Sequence, residues 1–212
     1  MTRRARGLFL VLEGLDGAGT TTQADRLAAW LRARGRRVHV TAEPSRGPVG
    51  ALVRQVLSRR VAGPGGGDFD PSALALLFAA DRLDHWESEI RPRLDQGTDV
   101  VSDRYVLSSL AYQAVATGDG PWVARVNAKA PGADLTLFLR VQARVAMRRR
   151  FAASEDREIF EVPAFQRRVA TAYGRALARL RGAGGRVVEV DGGRPVEVVT
   201  GALAAAVEPL LR

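Results

Sequence analysis

The chain has no cysteine and only one lysine, Lys129, in 212 residues. Without cysteine there is no disulfide framework and no thiolate-bound metal. The scarcity of lysine is not a scarcity of positive charge, since Lys+Arg 32 against Asp+Glu 23 gives a formal net charge of +9. That charge is almost all arginine, scattered among Asp and Glu along helix-like segments. With the abundant Ala, Gly and Val, it reads as a GC-rich coding bias rather than a nucleic-acid-binding stripe. Phosphorylated small molecules are the better-matched acidic partners, and no nucleic-acid partner is expected. No apolar run is long enough to span a bilayer, so no membrane association is expected either. The opening Met1-Thr2-Arg3-Arg4-Ala5-Arg6 is like the n-region of a signal peptide. Glu13 interrupts the apolar run behind it and no small-residue cleavage site follows, so a cytoplasmic protein is expected.

The length and the 46% hydrophobic content suit one well-buried α/β domain. Five short apolar runs read as strands: 8–12, 37–41, 99–102, 135–139 and 186–190. They barely alternate, as strands covered on both faces do. Helical patterns separate them at 21–34, 48–59, 71–96, 108–117, 142–151, 162–180 and 195–211. Pro92 falls inside the longest and predicts a kink. Strands alternating with helices predict a five-stranded parallel sheet flanked by helices. Ligands gather at the carboxyl ends of such strands.

The most informative segment is Gly14-Leu15-Asp16-Gly17-Ala18-Gly19-Thr20-Thr21. Placed between a strand and a helix, it is a phosphate-binding loop: glycines turn backbone N–H groups toward phosphate oxygens at a helix N-terminus. Thr21 occupies the position whose hydroxyl reaches magnesium. Thr20 stands where the motif has lysine, so the loop lacks its point charge. Arginine replaces lysine elsewhere in the chain but not here.

Other candidates also follow strands. Asp103-Arg104-Tyr105 puts a carboxylate and a guanidinium at a strand end, suited to metal and phosphate or to a plain ion pair. Tyr112 and Gln113 sit one helical turn beyond Ser108 and Ser109, where their polar tips could read a base or sugar. Glu43-Pro44 ends the second strand. Phe78 and Arg82 share a helix face and suit a flat heterocycle with a carbonyl, or simply a core Phe beside a surface Arg. Arg148-Arg149-Arg150, then Ser154 to Glu161, has the pattern of a mobile lid, about residues 148–161, that brings cations onto phosphates.

Together these residues resemble bacterial thymidylate kinases, P-loop nucleoside-monophosphate kinases, over nearly the whole chain. The most specific part is Asp103-Arg104-Tyr105 with Ser108-Ser109 and Ala111-Tyr112-Gln113. The segments 13–19, 43–44 and 77–82 match in order and spacing. The resemblance implies a P-loop NTPase fold with a short lid, and transfer of the γ-phosphate of ATP to dTMP, with Mg2+, toward dTTP. It also implies a homodimer, for which the 71–96 helix has apolar positions to spare. Phe78 then stacks on thymine, Arg82 meets its carbonyl, and Ser109 and Gln113 add base contacts. Tyr112 lies beside the sugar 2′ position. Arg104 and Glu43 hold the monophosphate. Phe160 and Glu161 mark the return of the lid. Asp16 lies near the acceptor phosphate and metal, and Thr21, Asp16, Asp103 and Glu161 are the candidate metal ligands. With no arginine in the P-loop, the catalytic cation falls to Arg148, Arg149, Arg150 or Arg157. Ser45-Arg46-Gly47-Pro48 replaces the family's usual two glycines and threonine, and Arg46 is a candidate compensating cation. A kinase for another nucleotide or nucleoside, and a nucleotide-binding protein that has lost catalysis with its lysine, share this pattern. The charge alone suggests a nucleic-acid-associated ATPase.

Overall fold

The computed structural model describes residues 6–153, 159–160 and 162–211. Five strands form one parallel sheet: β1 (Phe9–Gly14), β2 (Val38–Ala42), β3 (Asp99–Asp103), β4 (Leu135–Arg140) and β5 (Val187–Asp191). Their order is β2-β3-β1-β4-β5. Every residue of β1 is buried, as its uninterrupted apolar run requires of a central strand. Leu12 pairs with Asp103 of β3 and with Leu137 of β4, so three strand ends finish side by side. The connection after β1 runs to β2 on one side, and the connection after its neighbour β3 runs to β4 on the other. The crevice at those carboxyl ends is where an open α/β sheet binds ligands.

Side-chain alternation along β1 divides the core. Leu10 and Leu12 pack with Leu27 and Leu31 of α1 (Thr20–Arg32) and with Leu203 of α9 (Val196–Val207). Phe9 and Val11 point the other way, to Ile90, Leu94 and Tyr105. The apolar face of α1 recurs at Ala24, Leu27, Ala28 and Leu31, the spacing of one helix stripe. A third cluster joins α5 (Val106–Thr117) to α8 (Pro163–Gly182) through Ala111, Tyr112, Val169 and Tyr173.

The expected helix 71–96 is three pieces. α3 (Pro71–His85) begins at Asp70, whose side chain accepts from the Ala73 N–H, and then gives way to a π-turn, Trp86–Ile90, and to α4 (Arg91–Asp95). Pro92 has no N–H to donate, and its ring displaces the carbonyl four residues back, which the wider turn accommodates. A short helix, α6 (Gly120–Val126), adds to the expected elements, and its signal is local: Asp119 caps the Trp122 N–H and Pro121 sits in the first turn. α5 starts before Ser108 because its first turn is capped from outside. The Glu13 carboxylate accepts from the N–H groups of Tyr105 and Ser108 at 2.9 and 3.1 Å. The remaining helices are α2 (Pro48–Leu57), which packs on α3, and α7 (Ala143–Ala153).

Candidate active site

β1 ends at Gly14, and the loop that follows is shaped by its glycines. Gly17 and Gly19 have φ of 81° and 95°, a region that side-chain-bearing residues avoid. Gly17 also admits a close neighbour, since a Cβ there would lie 2.1 Å from the Ala146 carbonyl oxygen. α7 therefore rests directly on the loop. Thr20, Thr21 and Thr22 form the first turn of α1, the anion-favouring end of a helix. Thr20 is buried and lines the cleft above the loop.

That cleft has a volume of about 880 Å³. From the P-loop it runs past Asp103, Arg104 and Tyr105, then Ser108, Ser109, Tyr112 and Gln113 of α5, to Glu43, Phe78 and Arg82. Phe160 closes over it, stacked on Phe165 with ring centroids 5.0 Å apart and planes 9° from parallel. The motifs after β1, β2 and β3 thus converge on one crevice.

At one end of the cleft Arg82 is buried, and most of its guanidinium is occupied. Nη2 donates to Glu43 Oε2 at 2.7 Å and to the Tyr105 carbonyl at 3.2 Å, while Nη1 donates to Asn127 Oδ1. Its Nε has no partner among the described residues, and neither have Tyr105 Oη or Ser109 Oγ. Buried polar atoms without partners are rare and mark places where a ligand completes the bonding. The Glu43 side chain turns to this end, while its backbone N–H donates to the Asp103 carbonyl at 3.0 Å. Both its oxygens are engaged, one by Arg82 and the other by His85 at 3.3 Å.

At the centre, Arg104 (φ 72°) turns back onto the P-loop. It donates to Asp16 Oδ1 at 2.5 Å, to the Gly14 carbonyl at 3.0 Å and to Ser108 Oγ at 3.0 Å. The other Asp16 oxygen accepts from Gln166 Nε2 at 2.9 Å. Both Asp16 oxygens thus have side-chain partners, one on α8 and one in the turn after β3. The Tyr112 hydroxyl accepts from the Asp16 N–H at 3.0 Å, tying α5 to the loop. Beneath this group Glu13 is fully buried, and desolvation pushes its carboxyl up to about 7 against the hydrogen bonds of Ser108 and the charge of Arg104.

Thr21 Oγ1 donates to Asp103 Oδ2, while Asp103 Oδ1 is buried without a partner among the described residues. A hydroxyl and a carboxylate with a spare lone pair suit Mg2+, which binds through few protein oxygens plus substrate phosphates. No cage of three or more acidic or imidazole side chains occurs among the described residues. Of the expected metal ligands the structure brings together Thr21 and Asp103. Glu161 lies outside the described residues.

The cations of α7 separate. Arg149 and Arg150 line the cleft, and Arg149 donates to the Gly192 carbonyl at 2.8 Å. Arg148 is exposed and does not line it, since successive helix residues point about 100° apart. Arg46 is likewise exposed and off the cleft, and Arg157 is outside the described residues. Two other arginines that the sequence reading did not single out do line the cleft. Arg54 of α2 donates to the Pro44 carbonyl at 3.1 Å, and Arg194 sits in the turn after β5. The rule that ligands gather at strand ends could have found Gly192-Gly193-Arg194.

Residues 12–202 match the family model described as "Thymidylate kinase". A "Probable thymidylate kinase" of Pyrobaculum calidifontis is 40% identical over 201 residues, covering 95% of this chain and 96% of the relative. A "Putative thymidylate kinase" of Aeropyrum pernix is 40% identical over 205 residues, 94% of this chain and 95% of the other. A "Thymidylate kinase" of Bifidobacterium longum is 54% identical over 108 residues, 51% of this chain and 52% of its own. The similarity thus extends to archaeal as well as bacterial proteins, and the chain belongs to the thymidylate kinase family.

Proposed function

We propose that the protein transfers the γ-phosphoryl group of ATP to dTMP, giving ADP and dTDP, as a cytoplasmic step toward dTTP. The observation that carries this reading is the set of unpartnered buried polar atoms along one cleft: Arg82 Nε, Tyr105 Oη and Ser109 Oγ toward one end, Asp103 Oδ1 beside the P-loop. The first group suits a pyrimidine laid on Phe78 with a carbonyl toward the Arg82 N–H. Gln113 adds a second base contact, and Tyr112 stands where a 2′-hydroxyl would project.

An oxygen of the dTMP phosphate attacks the γ-phosphorus, and the bond to the β–γ bridging oxygen breaks, leaving ADP with the electron pair. The acceptor is already an anion, so no general base is needed. Catalysis consists of alignment and charge neutralisation. Arg104 and Arg54 are the cations nearest the acceptor side. Arg149, Arg150 and Arg194 serve the donor side. The backbone N–H groups of Gly17 to Thr21 grip the phosphates. Mg2+, held at Thr21 and Asp103, would neutralise charge on the donor phosphates. Because α7 packs on Gly17, Arg149 and Arg150 are held beside the loop that lacks its lysine, and we assign them the missing charge. The chain acts as one domain, with residues of about 148–161 as a lid. It pairs as a homodimer through α2 and α3, where Leu52, Leu76 and Leu83 are exposed.

Formation of dTDP and ADP from ATP, Mg2+ and dTMP tests the reaction, and a panel of dTMP, dUMP, dCMP, dGMP and thymidine tests the acceptor. Thr20 favours one other reading, a binding protein without catalysis. Calorimetric binding of dTMP and ATP with no dTDP formed would establish that instead.

A further inference from the structure

His85 belongs to no motif and does not line the cleft, yet it is fully buried within reach of the proposed base site. It stands three residues after Arg82 on α3, so both side chains leave one helix face. They grip the same carboxylate from two sides. Arg82 Nη2 holds Glu43 Oε2 at 2.7 Å, and His85 Nδ1 lies 3.3 Å from Glu43 Oε1. A carboxylate only accepts, so Nδ1–H is the donor. The other ring nitrogen, Nε2, is 2.8 Å from Thr41 Oγ1 and 3.8 Å from Glu89 Oε1. Thr41 and Glu43 are two apart at the end of β2 and share a side of an extended chain. One imidazole thus spans both and fixes the carboxylate's rotation.

We infer that His85 is a positioning residue for Arg82, acting through Glu43, and that it sets how well the site binds the pyrimidine of the acceptor. This rests on the reading of the cleft as a dTMP site. Arg82 keeps its Nε–H open, while Asn127, Glu43 and the Tyr105 carbonyl hold three of its four Nη–H groups. A single N–H reads a carbonyl only if the guanidinium plane cannot rotate. The Glu43 carboxylate resists that rotation only while its second oxygen is held. Without His85 the arginine keeps its charge and loses its aim.

The test compares His85→Leu with His85→Asn, whose amide can still donate toward Glu43 from the Nδ1 side. His85→Leu is expected to raise the KM for dTMP about tenfold, with kcat and the KM for ATP within about twofold of wild type. His85→Asn is expected to restore the dTMP KM to within about threefold. Thermal melts of both variants accompany the kinetics. An unchanged dTMP KM in a folded His85→Leu, or equal losses in both variants, overturns the assignment. The Arg82 Nε–H resonance, followed by nitrogen-15 NMR in nucleotide-free protein, reads the positioning independently. It should shift or broaden in His85→Leu and not in His85→Asn, and an unmoved resonance overturns the inference. If wild-type protein makes no dTDP while this resonance responds as expected, the reaction assignment fails and the positioning role stands.

Discussion

The two ends of the cleft are built on opposite plans. At the Arg82 end, one buried guanidinium is held by Glu43, Asn127 and a backbone carbonyl, and its carboxylate partner is held in turn by His85. At the P-loop end, the cleft is lined by glycine backbone and by Thr20, Thr21 and Thr22, with arginines of α7 and of the turn after β5 beside them. Of those cations, Arg149 donates to the Gly192 carbonyl. The difference teaches where each part of the job is done. A base is recognised by fixed, desolvated donors, whose worth depends on geometry. A transferring phosphoryl group needs charge, which several side chains from different elements can supply. A missing lysine is therefore tolerable at the second end in a way that a missing arginine at the first is not.

The largest expected effect is at the joint between the two ends. Arg104→Ala removes the bond to Asp16 and, on the proposed mechanism, an acceptor-side cation, and should lower kcat/KM by about 10³ in steady-state kinetics. Glu13 lies beneath the same joint. Its folded-state pKa of about 7 exceeds the ordinary 4.5. The stability it contributes is therefore complete below about 4.5 and lost as pH rises through about 7. Glu13→Gln should flatten that dependence, shifting the difference in unfolding free energy between pH 5 and pH 8 by about 3 kcal/mol in urea melts.

At the base end, Phe78→Ala should raise the dTMP KM by about 30-fold, through lost stacking, while leaving the KM for ATP alone. At the donor end, Arg149→Ala or Arg150→Ala should lower kcat more than tenfold, and Arg148→Ala should change it by less than about twofold. If none of the three matters, α7 does not supply the charge and the contrast between the ends collapses. A modest gain is expected of Thr20→Lys. Restoring the lysine should raise kcat by less than about fivefold if the arginines already neutralise the phosphates.

Much of this was legible in the sequence because it was local. The strands lie within a residue or two of their apolar runs, and the P-loop, the Asp103–Tyr105 turn and the Phe78–Arg82 pair each sit where their flanking elements put them. What was not legible depended on which residue meets which across the fold. Glu43 follows a strand, and only tertiary packing turns its carboxylate onto Arg82 and His85. Nothing in the string pairs Asp16 with Arg104 and Gln166, which hold its two oxygens. Three consecutive arginines are equivalent in a string, and the helix distinguishes them by pointing Arg148 outward. Glu13, which broke an apolar strand for no visible reason, caps a helix that begins more than 90 positions later, a partnership that sequence spacing cannot carry.

The central claim is that a P-loop without its lysine still supports phosphoryl transfer to dTMP. It is tested most directly by following ADP and dTDP together, in purified wild-type protein with ATP, Mg2+ and dTMP. The account predicts stoichiometric formation of both, dependent on dTMP, and abolished or greatly reduced in a folded Arg104→Ala protein. Saturable binding of dTMP and ATP with no dTDP over many hours would contradict it.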